Sequence, residues 1–220
     1  MILEQYIQHS ALKPDTTIRD VETVCREAIE HNFTSVCVPP LYVKNAKALT
    51  AITDIKVCTV IAYPFGYSAI EAKIAEIVLA VIDGADEIEM VVNTAAVKNN
   101  DWQYLAMEIN TVLPVIRRKE KKITVIIETA LLTDKEVVTA CDIYGAAAVD
   151  YIRVGTGFIK NGMIIDNLKL IRTHLAAPVQ IKAATEINNY SFAKELIKAG
   201  ANRLCINNGL QLVRESLHQN

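Results

Sequence analysis

The sequence predicts a single-domain α/β protein, a (β/α)8 barrel of the TIM type that spans residues 1–220. Eight short runs rich in β-branched residues alternate with longer segments in which apolar residues recur at helical spacing. The short runs are almost continuously apolar, which indicates parallel strands covered by helices. No G-x-G-x-x-G turn follows the first run. This favours a closed barrel over a doubly wound sheet.

The predicted elements follow in order along the chain. The strands are expected near residues 6–9, 35–38, 56–62, 87–92, 123–128, 151–154, 179–182 and 203–206. The longer helices are expected near residues 18–31, 68–83, 101–119, 134–144, 166–174 and 190–199. Neither a linker nor a shift in composition indicates a second domain.

Turn and cap residues support these boundaries. Candidate helix caps are Thr16 or Thr17, Ser68, Thr133 with Glu136 as a capping box, and Asn189 or Ser191. A weak repeat places Gly84, Gly145 and Gly200 each between a helix and a strand. A glycine there is expected to adopt the left-handed conformation that ends a helix.

Composition and charge exclude several kinds of partner. The chain has 220 residues and a net charge of −2, so no global electrostatic attraction to nucleic acid or to an anionic membrane is expected. Charges interrupt every apolar stretch before it reaches the roughly 18 residues of a membrane span. The first residues, Met-Ile-Leu-Glu-Gln, lack the basic region of a secretory signal.

The cysteines and histidines suggest neither disulfides nor metal. The five cysteines are scattered, without a Cys-x-x-Cys pair, and are expected to be buried reduced thiols of a cytoplasmic protein. The four histidines show no metal-ligand spacing with Cys, Asp or Glu. We therefore predict no metal site.

Charged residues inside predicted strands are the main functional signal. Arg153 interrupts Asp150-Tyr-Ile-Arg-Val-Gly155, Lys182 interrupts Pro178-Val-Gln-Ile-Lys-Ala-Ala184, and Glu89 interrupts Glu87-Ile-Glu-Met-Val-Val92. Burying such charges costs several kcal/mol, so they usually belong to a site. Together with Glu128 they fall at or near the carboxyl ends of strands, where barrel enzymes place their active sites.

These residue types could support carbonyl chemistry. A desolvated Lys182 could lose its proton and attack a carbonyl as a neutral amine, with Glu89 moving protons. The alternative for Lys182 is a strand-end lysine that reaches solvent. The alternative for Glu89 is an ion pair with Arg153 or Lys182 that only balances charge. Glu128, taken alone, is better explained as structural.

Several segments resemble the deoxyribose-phosphate aldolase family over essentially the whole chain. They are Gln8-His-Ser-Ala-Leu-Lys-Pro14, Ser35-Val-Cys-Val-Pro39, Cys58-Thr-Val-Ile-Ala-Tyr-Pro64, Gly84-Ala-Asp-Glu-Ile-Glu89, Val125-Ile-Ile-Glu-Thr129, Arg153-Val-Gly-Thr-Gly-Phe158 and Asn207-Asn-Gly209. The resemblance implies a (β/α)8 class I aldolase that cleaves 2-deoxyribose 5-phosphate. It also implies a cytoplasmic homodimer that needs no cofactor or metal.

The resemblance also assigns residues. The Schiff-base lysine of the family lies on the sixth strand, and Arg153 occupies its position here. Lys182 matches a second lysine that tunes the first, and Glu89 matches the proton-handling aspartate. Gln8 stands at the position of a family aspartate on the first strand, and Ser10 at that of a threonine.

The phosphate-binding turns implied by the resemblance are altered as well. A Gly-Gly turn becomes Thr185-Glu186, and a Ser-Ser pair becomes Asn207-Asn208. Glu186 would oppose a phosphate dianion. Gly155 and Gly157, which belong to the same phosphate site, are retained. The expected substrate is a small carbonyl compound other than, or in addition to, 2-deoxyribose 5-phosphate.

Three functional hypotheses follow. In the first and favoured one, the enzyme is a carbon–carbon lyase in which Lys182 is the amine, Glu89 the acid or base, and Arg153 lowers the pKa of Lys182 by like-charge repulsion. In the second, Arg153 and Lys182 stabilise an oxyanion or enolate in a cyclase, isomerase or lyase without a Schiff base. In the third, the chain is an inactive homologue that binds a ligand or partner.

Overall fold

The computed structural model describes residues 2–160 and 162–218 and forms a closed barrel of parallel strands. Each strand pairs with the next, and β8 pairs with β1 to complete the circle. The strands are β1 Ile7–Ser10, β2 Ser35–Val38, β3 Lys56–Ile61, β4 Glu87–Val91, β5 Lys122–Ile127, β6 Tyr151–Val154, β7 Gln180–Ala184 and β8 Arg203–Ile206. The predicted (β/α)8 barrel is therefore confirmed.

Helices cover the outside of this barrel. They are α1 Ile18–Glu30, α2 Val43–Leu49, α3 Ile70–Ile82, α4 Thr94–Lys98, α5 Trp102–Arg117, α6 Asp134–Ala146, α7 Ile164–His174, α8 Tyr190–Lys198 and α9 Gly209–His218. Helices α2, α4 and α9 were not predicted from the sequence. α2 and α4 are short, with only 7 and 5 residues. Within the described part of the chain, no helix is both long and apolar enough to cross a membrane.

Helix ends follow the predicted caps in some places and not in others. Thr17 and Thr133 each form a capping box, with Asp20 and Glu136, and Asn189 caps α8. Ser68 does not cap α3, which starts after Ala69 without a side-chain cap.

The prediction that Gly145 ends a helix was also wrong. Gly84 and Gly200 have the expected positive φ, of 104° and 118°. Gly145 instead lies inside α6, and Ala148 adopts the left-handed conformation with φ 54°. Position 145 needs only an ordinary helical φ, so α6 continues past it. Gly145 therefore does not mark the end of this helix.

A fully buried ion pair joins two helices outside the barrel. The ammonium of Lys73 on α3 lies 2.6 Å from a carboxylate oxygen of Glu108 on α5 and also donates to Val91 O at 2.8 Å. Burial lowers the pKa of Lys73 and raises that of Glu108. Each charge is therefore tolerated because the other is present.

The cysteines agree with the sequence prediction. All five are free and buried, in the barrel or beneath its helices. Burial raises the pKa of the Cys25 thiol to about 11 and that of Cys141 to about 12. These thiols therefore stay protonated at neutral pH.

The register of the strands sets up the interior of the barrel. Arg153 on β6 is the direct partner of Lys182 on β7, and Gln8 on β1 is the partner of Cys205 on β8. Side chains alternate between the barrel interior and the helices, so residues two apart on one strand share a face. Polar side chains from several strands thus meet inside the barrel.

Candidate active site

A cavity of about 1130 Å³ opens at the carboxyl ends of the strands. It lies where barrel enzymes place their active sites. Seven of the predicted site residues line it: Ser10, Arg153, Gly157, Thr185, Glu186, Asn207 and Asn208. Four others, Gln8, Glu89, Gly155 and Lys182, are not among its described lining residues.

Arg153 is the charged residue at the floor of the cavity. It is 3% exposed, and its three nitrogens donate to a carboxylate oxygen of Glu89, to Gly155 O at 3.1 Å and to Thr156 O at 2.9 Å. Burial lowers the pKa of Arg153, but the acidic groups around it, with Glu89 as the main one, together hold the pKa well above its ordinary value. Arg153 is thus a fixed positive charge in a fixed orientation.

Glu89 lies between the two cations. Its Oε1 accepts from Lys182 at 2.8 Å and from Gln8 at 2.9 Å, while Oε2 accepts from Arg153. Burial raises the pKa of this carboxyl, yet Lys182 and Arg153 together lower it to about 2. The carboxylate is fully buried and stays ionised, which makes it a weak proton acceptor.

Lys182 is fully buried rather than extended to solvent. Its ammonium donates to Gln8 Oε1, Glu87 Oε2 and Glu89 Oε1, each at 2.8 Å, and lies 4.6 Å from the centre of the Tyr151 ring. Burial lowers its pKa, but the two carboxylates raise it well above the ordinary value. The expectation that Arg153 lowers the pKa of Lys182 was therefore wrong.

Glu87 is the member of this network that the sequence analysis missed. Burial raises the pKa of Glu87, but the charge and hydrogen bond of Lys182, together with the charge of Arg203, bring it below its ordinary value. Glu87 lies two residues before Glu89 on β4, so both side chains point into the barrel. That spacing was the available signal. We call Gln8, Glu87, Glu89, Arg153 and Lys182 the interior charge network.

Glu128 holds the loop that follows β6. Its Oε2 accepts from the Thr156 backbone N–H at 2.9 Å and from the Thr156 hydroxyl at 2.6 Å. Gly155 lies beside it with φ 82°, and an added Cβ would lie 3.1 Å from Glu128 Oε1. The glycine is therefore needed both for the turn and for this close approach.

Tyr63, after β3, is a cavity-lining residue that the sequence analysis did not single out. Its hydroxyl donates to Thr156 O at 2.7 Å, and its ring packs edge to face on Phe158, with 5.5 Å between centroids. Burial raises the pKa of Tyr63 to about 12. Tyr63 and Arg153 thus hold the same backbone carbonyl from two directions.

The altered turns contribute polar groups to the rim. Thr185 is half-buried, whereas Glu186 and Asn207 are exposed. The amide of Asn208 donates to Ile187 O at 2.9 Å, which joins the turn after β8 to that after β7. The Glu186 carboxylate therefore borders the same cavity as Arg153.

Three potential metal ligands meet inside the barrel, although the sequence analysis predicted no metal site. The Sγ atoms of Cys37 and Cys58 and a carboxylate oxygen of Glu89 lie within 4.8 Å of one another. Burial raises the pKa of Cys58 well above its ordinary value. Because Arg153 and Lys182 already neutralise Glu89, the surroundings oppose both thiolate formation and a bound cation.

The fold and the cavity together define a (β/α)8 barrel with an enzyme-type site at the carboxyl ends of its strands. A family model described as "DeoC/LacD family aldolase" matches residues 5–199. The chain belongs to this aldolase family.

Curated relatives agree over nearly the full length. A deoxyribose-phosphate aldolase of Caldanaerobacter subterraneus subsp. tengcongensis is 38% identical over 216 residues, which cover 98% of this chain and 94% of that protein. A deoxyribose-phosphate aldolase of Streptococcus gordonii is 39% identical over 214 residues, or 97% of this chain and 96% of that protein.

Solved structures have the same fold. The structure described as "QR15, an Aldolase" has a TM-score of 0.90 and 30% identity, covering 99% of this chain and 96% of that one. The deoxyribose phosphate aldolase of Aeropyrum pernix, described as tetrameric, has a TM-score of 0.91 at 21% identity, covering 99% of this chain and 92% of that one. The second likeness supports the fold alone.

Proposed function

We propose that this chain is an aldolase-family enzyme that acts on a small carbonyl compound without forming a Schiff base. One observation carries the proposal: of the three charged residues Glu89, Arg153 and Lys182, Arg153 alone is among the described residues that line the cavity. A guanidinium can donate paired hydrogen bonds to an oxyanion and so stabilise charge that develops on a carbonyl oxygen.

A Schiff base needs a neutral amine that can reach the substrate carbonyl. Arg153 stays protonated at any physiological pH. Lys182 is fully buried, carries a raised pKa and donates to three acceptors. These contacts argue against the favoured hypothesis of the sequence analysis, in which Lys182 attacks the carbonyl, and support the second one.

In the proposed reaction the substrate carbonyl oxygen accepts hydrogen bonds from Arg153. For a carbon–carbon cleavage, the bond between the α carbon and the hydroxyl-bearing β carbon breaks, and its electron pair forms an enolate whose oxygen Arg153 stabilises. The substrate hydroxyl loses its proton to water in the open cavity and becomes the second carbonyl group. Water then protonates the enolate carbon. Glu89 and Lys182 act by positioning Arg153.

The proposed substrate is not 2-deoxyribose 5-phosphate. Glu186 borders the cavity with a negative charge, and Thr185-Glu186 and Asn207-Asn208 stand in place of the turns that the family resemblance assigns to phosphate. A phosphate dianion near Glu186 would be repelled. A substrate with a single negative charge, or none before enolate formation, fits this rim better.

Borohydride trapping tests the absence of a Schiff base. The wild-type protein is incubated with acetaldehyde and borohydride, and intact mass and peptide mapping report modified lysines. We expect no adduct on Lys182 in the wild type and an adduct at position 153 in Arg153→Lys, which restores an amine there. An adduct on Lys182 in the wild type would overturn the proposal. Cleavage of 2-deoxyribose 5-phosphate by the wild type would overturn the proposed substrate.

A ligand-binding homologue without turnover is the second candidate. This candidate is favoured because the acid–base groups in and near the cavity have pKa values far from neutral, which makes them poor at exchanging protons with a substrate. Glu89 is ionised and buried, and burial raises the pKa of both Tyr63 and Cys205, which line the cavity, to about 12. A screen of carbonyl compounds that found saturable binding but no product would favour this candidate over the enzyme.

We also propose a cytoplasmic homodimer, in line with the resemblance described in the sequence analysis. The Aeropyrum pernix protein is described as a tetramer. Sedimentation velocity of the purified chain distinguishes the two states, and a tetramer would contradict the dimer.

A further inference from the structure

The cavity exposes apolar side chains beside its charged floor. Phe158 is 48% exposed and Ile159 is 38% exposed, and both line the cavity on the segment that follows β6. Large exposed apolar side chains that cluster at a cavity mark a binding surface more often than isolated ones do. We call Leu12, Tyr63, Phe158 and Ile159 the apolar wall.

The apolar wall is fixed in place next to Arg153. The Tyr63 ring packs edge to face on Phe158, and the Tyr63 hydroxyl donates to Thr156 O. Arg153 donates to the same carbonyl oxygen, so the wall and the guanidinium share one anchor. A ligand whose oxyanion binds Arg153 therefore meets aromatic surface on its adjacent side.

The charges around the cavity limit the ligand to a low negative charge. Arg153 is already paired with Glu89 in the barrel interior. Asp166 and Glu186 line the same cavity, as do Lys13 and Lys160. Two rim carboxylates and two rim cations leave no surplus positive charge for a dianion. One oxyanion and an otherwise apolar body suit this arrangement.

We propose that the cavity selects carbonyl compounds that carry one oxyanion and an aryl or branched alkyl substituent. The carbonyl oxygen and the adjacent oxyanion bind Arg153 together, and the substituent packs on the apolar wall, which makes Phe158 and Tyr63 specificity-determining residues. This inference rests on the proposed function, because it uses Arg153 as the oxyanion site. It adds the substituent, which the proposed reaction alone does not require.

Calorimetric titration with matched 2-oxo acids tests the inference. Pyruvate and phenylpyruvate share the oxyanion and the carbonyl and differ by the phenyl group. Burial of the ring is expected to make phenylpyruvate bind about 10- to 100-fold more tightly than pyruvate. 4-Methyl-2-oxopentanoate, with a branched alkyl group, is expected to fall between them. Inorganic phosphate is expected to bind more weakly than phenylpyruvate.

Variants assign the two parts of the ligand to their residues. Phe158→Ala is expected to weaken phenylpyruvate binding about 10-fold and to leave pyruvate binding unchanged. Tyr67→Ala is the matched control, because Tyr67 is an exposed aromatic residue stacked on Phe65 and is not among the described residues lining the cavity. Arg153→Met is expected to abolish binding of both acids, and Arg153→Lys to weaken it while keeping the charge.

The possible failures differ from one another. Equal affinity for pyruvate and phenylpyruvate would overturn the apolar selectivity and leave the role of Arg153 standing. Binding of both acids by Arg153→Met and Arg153→Lys as tightly as by the wild type would overturn Arg153 as the oxyanion site, and with it the proposed function. If neither acid binds the folded wild type, the proposed ligand class fails, while the proposed function is decided separately by the borohydride experiment. Circular dichroism of each variant confirms that it is folded.

Discussion

Arg153 and Lys182 are register partners on neighbouring strands, and one carboxylate, that of Glu89, accepts hydrogen bonds from both. The repulsion between Arg153 and Lys182 is therefore offset by the Glu89 carboxylate that both of them contact. Lys182 stays protonated because it is held between Glu87 and Glu89, while Arg153 is the cation that borders the cavity. In the proposed function, this arrangement assigns substrate binding to Arg153 and the balance of buried charge to Lys182.

Removal of the central carboxylate should destabilise the barrel. Glu89→Gln leaves the buried cations Arg153 and Lys182 with Glu87 as the remaining carboxylate of the interior charge network. An uncompensated buried charge costs about 3–5 kcal/mol. Urea denaturation should show a loss of this size in the free energy of unfolding. Glu186→Gln, at an exposed carboxylate, is the control and should change it by less than about 0.5 kcal/mol.

The free energy of unfolding should fall in acid because the Glu89 carboxylate becomes protonated. The pKa of Glu89 is about 2 in the folded protein, against 4.5 for an ordinary glutamate. The unfolded chain thus binds more protons between these values, so about 3 kcal/mol of stability is present above pH 4.5 and is lost as pH falls towards 2. Lys182 and Arg153 stay protonated in both states there. Denaturation midpoints between pH 6 and 3 that do not fall would contradict this.

The buried pair outside the barrel offers a double-mutant cycle. Lys73→Met leaves the Glu108 carboxylate buried without its partner and should cost about 3–5 kcal/mol in the free energy of unfolding. Lys73→Met combined with Glu108→Leu removes both charges and should recover most of that loss. If the double variant were as unstable as the sum of its single variants, the pair would not act as a unit.

Three glycines after β6 form a graded series. Gly155→Ala combines an unfavourable φ of 82° with a Cβ 3.1 Å from Glu128 Oε1, and should cost about 2 kcal/mol. Gly157→Ala, with φ 90° and open space around the Cβ, should cost about 1 kcal/mol. Gly162→Ala, which has neither feature, should be close to neutral. Thermal denaturation of the three variants measures this order, and a different order would contradict the prediction.

The order of the strands was predictable because their apolar runs are short, continuous and separated by amphipathic segments. The location of the site was predictable too, since charges such as Arg153 and Lys182 stand out in such runs. The contacts of Lys182 could not be predicted from the sequence. Whether its amine is neutral depends on which carboxylates surround it, and Glu87 reaches it from a strand 95 residues earlier in the chain. The role of Ala148 at the end of α6 was hidden for a similar reason, because Gly145 carries the stronger local signal.

The hydrogen bond from Lys182 to Gln8 joins residues 174 positions apart, on strands β7 and β1. During synthesis, Glu87 and Glu89 emerge well before Lys182, so an incomplete chain has both carboxylates but lacks the lysine. The interior of the barrel therefore reaches electrical balance only when most of the chain has been made. Contacts of such long sequence separation are slow to form. The pairing of the interior charges is thus complete only in a chain that includes β7.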